Sequence, residues 1–178
     1  LGDPAGIGPE VIARALLRMS RECLPLIVGD AAVMHEAVRA FRIPCAVKTV
    51  KMVSDITPSH ATFWCMDLAS LKAFKKGVPD RENGIAAAGY IRKAVELAME
   101  KQVDAVVTAP ISKEALHLAG LPWAGHTEML AEMTGAKEYA MMLVGGPLKV
   151  ILVTIHTALR NVSGLITKER VLKTIVLA

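Results

Sequence analysis

Two short polar segments carry the residue types that could do chemistry. Residues 108–113 read TAPISK, and residues 125–128 read GHTE. The first segment follows the apolar run 103–107 and precedes a short helical pattern. Open α/β sheets bind ligands at polar turns of this kind, where a strand passes into a helix. We therefore expect the two segments to form part of a substrate site.

The second segment places an imidazole beside a hydroxyl, at His126 and Thr127. Both groups can bind hydroxyl and carboxylate oxygens of a substrate. Thr127 can also cap a helix that begins there, with His126 as a structural neighbour. The residues alone leave both interpretations open.

Lys113 stands in the first turn of a predicted helix. A cation is electrostatically unfavourable there, because the N-terminal end of a helix carries a partial positive charge. An anionic ligand or the neighbouring Glu114 carboxylate would offset this cost, and solvent exposure would reduce it. Lys113 is thus a candidate for binding an anion.

His156 follows an apolar strand pattern at residues 150–155. A metal site needs at least two or three ligands, and neither HxH nor HExxH occurs in the sequence. His156 would therefore require partner ligands from elsewhere, and a lone histidine at a strand end is more commonly bonded to the backbone. His35, His60 and His117 lie in ordinary helix or loop contexts, where a structural or surface role is expected.

The opening segment, residues 2–10, reads GDPAGIGPE. A dinucleotide-binding fingerprint that uses Gly6 and Gly8 would need glycine at position 11, which is Val11. A P-loop would need Gly-Lys followed by Ser or Thr, and none occurs. The segment is therefore either a tight strand-to-helix turn or a turn whose N–H groups face an anion.

Hydrophobic periodicity predicts alternating strands and helices. The predicted helices cover about 9–20, 31–41, 83–102, 112–118, 127–134 and 168–178, with Asp30, Ser112 and Thr167 as caps. The predicted strands cover 24–28, 46–53, 61–66, 103–108, 139–144 and 148–155, and the last two form a hairpin. Residues 72–83 are charged and contain Gly77 and Pro79, which indicates a surface connection.

The composition favours an α/β protein and disfavours several other classes. Of 178 residues, 53% are hydrophobic and the mean hydropathy is +0.41, as suits parallel strands buried on both faces. No apolar run approaches the roughly 18 residues of a membrane span, and no signal peptide is visible, so a cytoplasmic location is expected. Scattered charges with a net of +4, and 4% aromatic residues, argue against nucleic acid. Three widely spaced cysteines, Cys23, Cys45 and Cys65, indicate reduced, buried thiols.

Five segments together resemble one enzyme family. Residues 2–10, 108–113, 125–128, 141–143 and 154–160 occur in the order and spacing of the 4-hydroxythreonine-4-phosphate dehydrogenases. Residues 113–120 and 158–160 are more similar to the subgroup acting on 4-phospho-threonate or 4-phospho-erythronate. The resemblance extends along nearly the whole chain.

The resemblance implies a two-lobed α/β/α sandwich with an open mixed sheet, related to the isocitrate and isopropylmalate dehydrogenases. The active site of that fold lies in the cleft between the lobes. Residues 1–125 correspond to the first lobe, without its first strand and its C-terminal elements. Residues 126–178 correspond to the start of the second lobe, so both lobes are expected to be incomplete.

The family also implies a reaction and a set of site residues. NAD or NADP oxidises the secondary alcohol of a phosphorylated four-carbon hydroxy acid, and the 3-keto product is decarboxylated. The substrate-binding pair of the family falls on His126 and Thr127, with Lys113 as a further substrate contact. The first of its three histidines for a divalent cation (Zn, Mg or Co) falls on His156. Members are homodimers whose sites include residues of both subunits.

The sequence departs from the family in length. The two other metal histidines, further substrate ligands and most of the cofactor site fall outside these 178 residues, so no residue is assigned to the cofactor. We therefore expect the chain alone to be inactive. The alternatives are a non-catalytic module that binds an anionic ligand and the product of a degraded gene.

Overall fold

The computed structural model describes residues 1–19, 23–59 and 61–178. In these residues the helices are α1 (Gly8–Met19), α2 (Ala31–Ala40), α3 (Arg81–Met99), α4 (Lys113–Leu118), α5 (His126–Thr134), α6 (Leu159–Leu165) and α7 (Lys168–Leu177). The strands are β1 (Leu26–Gly29), β2 (Ala46–Thr49), β3 (Thr62–Asp67), β4 (Met142–Gly145) and β5 (Leu148–Ile151), and a 3₁₀ turn covers Val53–Asp55.

The chain forms two compact units, Leu1–Thr134 and Gly135–Ala178. This division falls later than residue 125, where the sequence predicted the end of the first lobe, because α5 packs with α3 in the first unit. The correspondence of the two units to the lobes of a larger fold stays a prediction.

The first unit is built on an open parallel sheet, which in the described residues has the order β1-β3-β2. The register sets Leu26 beside Trp64 and Ala46 beside Thr62. The central strand β3 contributes Phe63 and Cys65 to the core, and α2 covers them with Val33 and Met34, all at most 4% exposed. A parallel sheet with helices packed on it confirms the predicted α/β class.

Two aspartates at the carboxyl end of this sheet each accept backbone N–H groups that follow the other's strand. Asp30 occupies the predicted capping position of α2, but its side chain forms no capping bond, and Asp67 accepts the Ala31 N–H instead, at 3.0 Å. Asp30 accepts the N–H groups of Ser70 and Leu71, at 2.8 and 2.7 Å. The predicted cap was therefore right in position and wrong in partner.

The predicted strand at 103–108 was wrong. Among the described residues no strand pairs with this segment, and Val107 is 94% exposed. After this segment, the Asp3 N–H donates to the Pro110 carbonyl, at 2.9 Å. Apolar composition alone does not make a strand, since a strand needs a neighbour for its hydrogen bonds.

The helix boundaries in the second half of the first unit follow local capping signals. The Asp80 side chain accepts the Asn83 N–H at 2.7 Å, so α3 begins at Arg81, slightly earlier than predicted. The predicted cap Ser112 accepts the Ala115 N–H at 3.1 Å. Gly120, with φ of +71°, ends α4 as predicted.

The second unit contains the predicted hairpin, in a shorter form. Strands β4 and β5 are antiparallel, with Gly145 beside Leu148. Thr167 caps α7 as predicted, accepting the Arg170 N–H at 3.2 Å, whereas α6 was not predicted. In both strands and in α6 and α7 none of the described residues is buried. Val144 and Val176, for example, are 64% and 78% exposed.

The remaining sequence predictions concern cysteines, histidines and membrane spans. Cys65 is buried, Cys45 is half-buried and Cys23 is exposed, so the prediction of buried thiols is wrong for Cys23. His35 and His117 are exposed, as expected, and His60 lies outside the described residues. No helix in the described part of the chain is long and apolar enough to cross a membrane.

Candidate functional site

The opening turn, the 108–113 segment and the 125–128 segment meet in the first unit. The Asp3 N–H donates to the Pro110 carbonyl at 2.9 Å, which joins the opening turn to the 108–113 segment. The Ala109 backbone in turn lies close enough to the His126 imidazole to raise its pKa. The two segments that the sequence selected are therefore neighbours, and the opening turn packs directly against the 108–113 segment.

His126 is the first residue of α5 and is half-buried. Helix α5 is anchored by Met129, which is fully buried and whose N–H donates to the Gly125 carbonyl at 3.3 Å. Burial lowers the pKa of His126, and the neighbouring Ala109 backbone acts in the opposite direction. Because burial is the larger effect, the fold favours the neutral form of the imidazole.

The Nε2 atom of His126 is inaccessible to solvent and has no hydrogen-bond partner among the described residues. Buried polar atoms in proteins are nearly always paired, so such an atom marks strain, an unseen water or a ligand position. A neutral imidazole nitrogen can accept a hydrogen bond or donate one, according to its tautomer.

Thr127 lies inside the first turn of α5 and is half-buried. Because the helix begins at His126, Thr127 is not its N-cap, and the structural alternative considered for this residue was wrong. Within residues 1–19, 23–59 and 61–178, no hydrogen bond engages the Thr127 hydroxyl.

Lys113 is the first residue of α4 and is exposed. In the part of the chain that the structure describes, it forms no ion pair, and the exposed Glu114 does not offset its charge. Solvent therefore accounts for its placement at the helix start.

His156 belongs to the second unit, where it is exposed and has a φ of +48°. A residue other than glycine rarely adopts this left-handed conformation, and such strain is concentrated at functional sites. No group of three or more His, Cys, Asp or Glu side chains among the described residues could hold a metal ion. The residues described here thus do not form a metal site by themselves.

The opening turn contains a buried carboxylate that the sequence analysis did not select. Asp3 is 8% exposed and its Oδ1 accepts the Ala5 N–H at 2.9 Å. Burial raises the pKa of Asp3, the bond from Ala5 opposes this, and the nearby Asp80 carboxylate raises it further. The side chain holds the turn in shape, as an aspartate at the start of a Pro-Ala-Gly turn can. The Asp-Pro-Ala-Gly sequence is a local signal from which the role of Asp3 could have been predicted.

Comparison with known proteins identifies the family of this chain. Residues 21–178 match the family described as pyridoxal phosphate biosynthetic protein PdxA. The 4-hydroxythreonine-4-phosphate dehydrogenase of Desulfosudis oleivorans is 41% identical, in a match that covers 99% of this chain and 53% of that protein. The D-threonate 4-phosphate dehydrogenase of Cupriavidus necator is 40% identical, over 89% of this chain and 49% of that protein.

A solved structure extends the likeness to the fold. The 4-hydroxythreonine-4-phosphate dehydrogenase from Burkholderia phymatum superposes with a TM-score of 0.92 at 37% identity, covering 98% of this chain and 54% of that one. The fold of the chain is thus the α/β fold of the matching part of that structure. The chain belongs to the PdxA family, which confirms the resemblance noted in the sequence. It spans about half the length of the curated relatives it matches.

Proposed function

We propose that the chain supplies part of the substrate site of a dehydrogenase acting on a phosphorylated four-carbon hydroxy acid. The substrate would be 4-phosphohydroxy-L-threonine, or 4-phospho-D-threonate or its erythronate analogue. The names of the relatives support this class of substrate. The observation that carries the proposal is the meeting of the two polar segments, with an unpartnered imidazole nitrogen at their junction.

The proposed roles follow from the chemistry of each side chain. His126, in its neutral form, exchanges a hydrogen bond with a substrate hydroxyl or carboxylate oxygen. The Thr127 hydroxyl bonds to a neighbouring oxygen of the same molecule. Lys113 supplies a positive charge for the phosphate or carboxylate group. Partial burial of His126 and Thr127 strengthens their hydrogen bonds relative to bonds in water.

The proposed oxidation needs a hydride acceptor, and NAD or NADP is proposed for that role. No described residue is assigned to the cofactor. His156 is proposed as one ligand of a divalent cation (Zn, Mg or Co), and the other ligands must come from outside the described residues. Decarboxylation of the 3-keto product and assembly as a homodimer belong to the same proposal.

A second candidate function is binding without catalysis by this chain. The observation that favours it is the lack of any metal-holding group among the described residues. The two candidates agree on the ligand and differ in turnover. With NAD or NADP, a divalent cation and the phosphorylated acid, we expect the 178-residue chain to bind the acid and to reduce no cofactor.

Replacing His126 by alanine should weaken binding of 4-phospho-D-threonate by about 10- to 100-fold. A hydrogen bond to a charged ligand contributes roughly 1.5–3 kcal/mol, which corresponds to that change in Kd. Isothermal titration calorimetry of the chain provides the measurement, and Thr127→Val should show a smaller loss in the same direction. His117→Ala is the matched control, because His117 is an exposed histidine on α4. Equal affinities for the His126→Ala variant and the unaltered chain would overturn the assignment.

A further inference from the structure

No substrate contact is assigned to the opening turn, residues 2–10. Within this turn, Gly2 is the glycine with the least space for a side chain. A Cβ atom built on Gly2 would lie 2.4 Å from the Pro110 carbonyl oxygen and 2.7 Å from that of Ala109. It would also lie 2.9 Å from the Ala109 carbonyl carbon. All of these are backbone atoms, so they cannot move aside as a side chain could. Any larger residue at position 2 must therefore displace the 109–110 backbone.

The displaced backbone includes a neighbour of His126. The Ala109 backbone lies close enough to the imidazole to raise its pKa, and Pro110 accepts the N–H of Asp3, the residue next to Gly2. Buried Asp3 fixes the opening turn through its bond with Ala5, at 2.9 Å. A continuous set of backbone contacts thus runs from the opening turn through 109–110 to the imidazole.

We propose that Gly2 is a positioning residue for His126. Without a Cβ atom, it allows the opening turn to pack directly on the Ala109 and Pro110 carbonyls, and this packing sets where the imidazole lies. The expected effect of Gly2 on ligand affinity rests on the proposed function. The expected effect of Gly2 on the position of the imidazole is independent of that function.

A simpler role for Gly2 would be to permit its positive φ of +70°. Gly120 separates the two explanations, because its φ is +71° and no described atom lies within 4 Å of a Cβ built on it. Alanine at either position must adopt an unfavourable backbone conformation. Only alanine at position 2 must also move the backbone that contacts His126.

The test compares the unaltered chain with Gly2→Ala and Gly120→Ala by NMR of ¹⁵N-labelled histidine across a pH titration. Both variants should lose some thermal stability. In Gly2→Ala the His126 ring resonances should shift and its pKa should fall, because the Ala109 backbone no longer supports the protonated ring. In Gly120→Ala the His126 ring resonances and the His126 pKa should remain as in the unaltered chain. Unchanged His126 resonances in folded Gly2→Ala would overturn the proposal.

Ligand titration separates this proposal from the proposed function. If the unaltered chain binds 4-phospho-D-threonate, Gly2→Ala should bind it roughly tenfold more weakly, as expected for one disturbed hydrogen bond. Absence of binding to the unaltered chain would count against the proposed function, while the shift of His126 in Gly2→Ala would still support the positioning role. If Gly2→Ala does not fold, nuclear Overhauser contacts in the unaltered chain decide. Contacts from Gly2 to Pro110 and from Ala109 to the His126 ring are expected, and their absence would contradict the proposal.

Discussion

Replacing Leu116 by alanine should lower the free energy of unfolding of the first unit by about 2–5 kcal/mol, the usual cost of removing a buried leucine side chain. Leu116 is 1% exposed and packs in a cluster with Ile91, Val95 and Met129. The cluster joins α3, α4 and α5, and Met129 lies on the helix that begins with His126. Loss of Leu116 should therefore also loosen the candidate site.

Urea unfolding monitored by the fluorescence of Trp123, which packs against this cluster, measures the effect. Leu116→Ala and its control variant should both be made in a Trp64→Phe background, so that Trp123 is the reporting residue. The control is Leu118→Ala on the same helix, since Leu118 is 49% exposed and its loss should cost less than about 1 kcal/mol. Equal destabilisation by the two variants would show that the cluster is not the core of this region.

Replacing Asp30 by alanine should also cost about 2–5 kcal/mol, because each N–H left without a partner costs roughly 1–3 kcal/mol. Asp30 is 2% exposed and accepts the Ser70 and Leu71 N–H groups, at 2.8 and 2.7 Å. The Tyr90 side chain, 1% exposed, also lies near this carboxylate, and its pKa is raised by burial and by Asp30.

Thermal and urea unfolding of Asp30→Ala, Asp30→Asn and Asp104→Ala test this role. An asparagine side chain at this position would keep one oxygen acceptor, so Asp30→Asn should lose about half as much stability as Asp30→Ala. Asp104 is exposed, and its replacement should change stability by no more than about 0.5 kcal/mol. A loss below about 1 kcal/mol in Asp30→Ala would mean that solvent satisfies the two amides in the folded protein.

The features that could be predicted from the sequence are those specified by neighbouring residues. Ser112 and Thr167 cap the helices that follow them, and Gly120 ends α4, because each signal acts within a few residues. The β4–β5 hairpin was predictable for the same reason. Such local signals need no knowledge of how the chain folds elsewhere.

The features that were missed depend on contacts between distant residues. The apolar run 103–108 has the composition of a strand, but no described strand lies beside it. Asp30 has the position of a cap, yet its partners are residues 70 and 71. Thr127 does not cap α5, because it lies inside the helix, which begins at His126.

The sequence proposed the residues of the candidate site but not their geometry, and their roles stay a prediction. The family motifs selected His126 and Thr127, and the local pattern placed them at the start of a helix. The approach of Gly2 to the 109–110 backbone joins residues more than a hundred positions apart, and no local pattern encodes that distance. The relation of His156 to these residues stays a prediction.

The central claim is that the 108–113 and 125–128 segments form a binding site for a phosphorylated hydroxy acid. Its most direct test is a ¹H–¹⁵N NMR titration of the chain with 4-phospho-D-threonate, with D-threonate as the control that lacks the phosphate. We expect saturable amide shifts at residues 109–113 and 125–128, and much weaker effects of D-threonate. No saturable shift, or shifts confined to other parts of the chain, would contradict the claim.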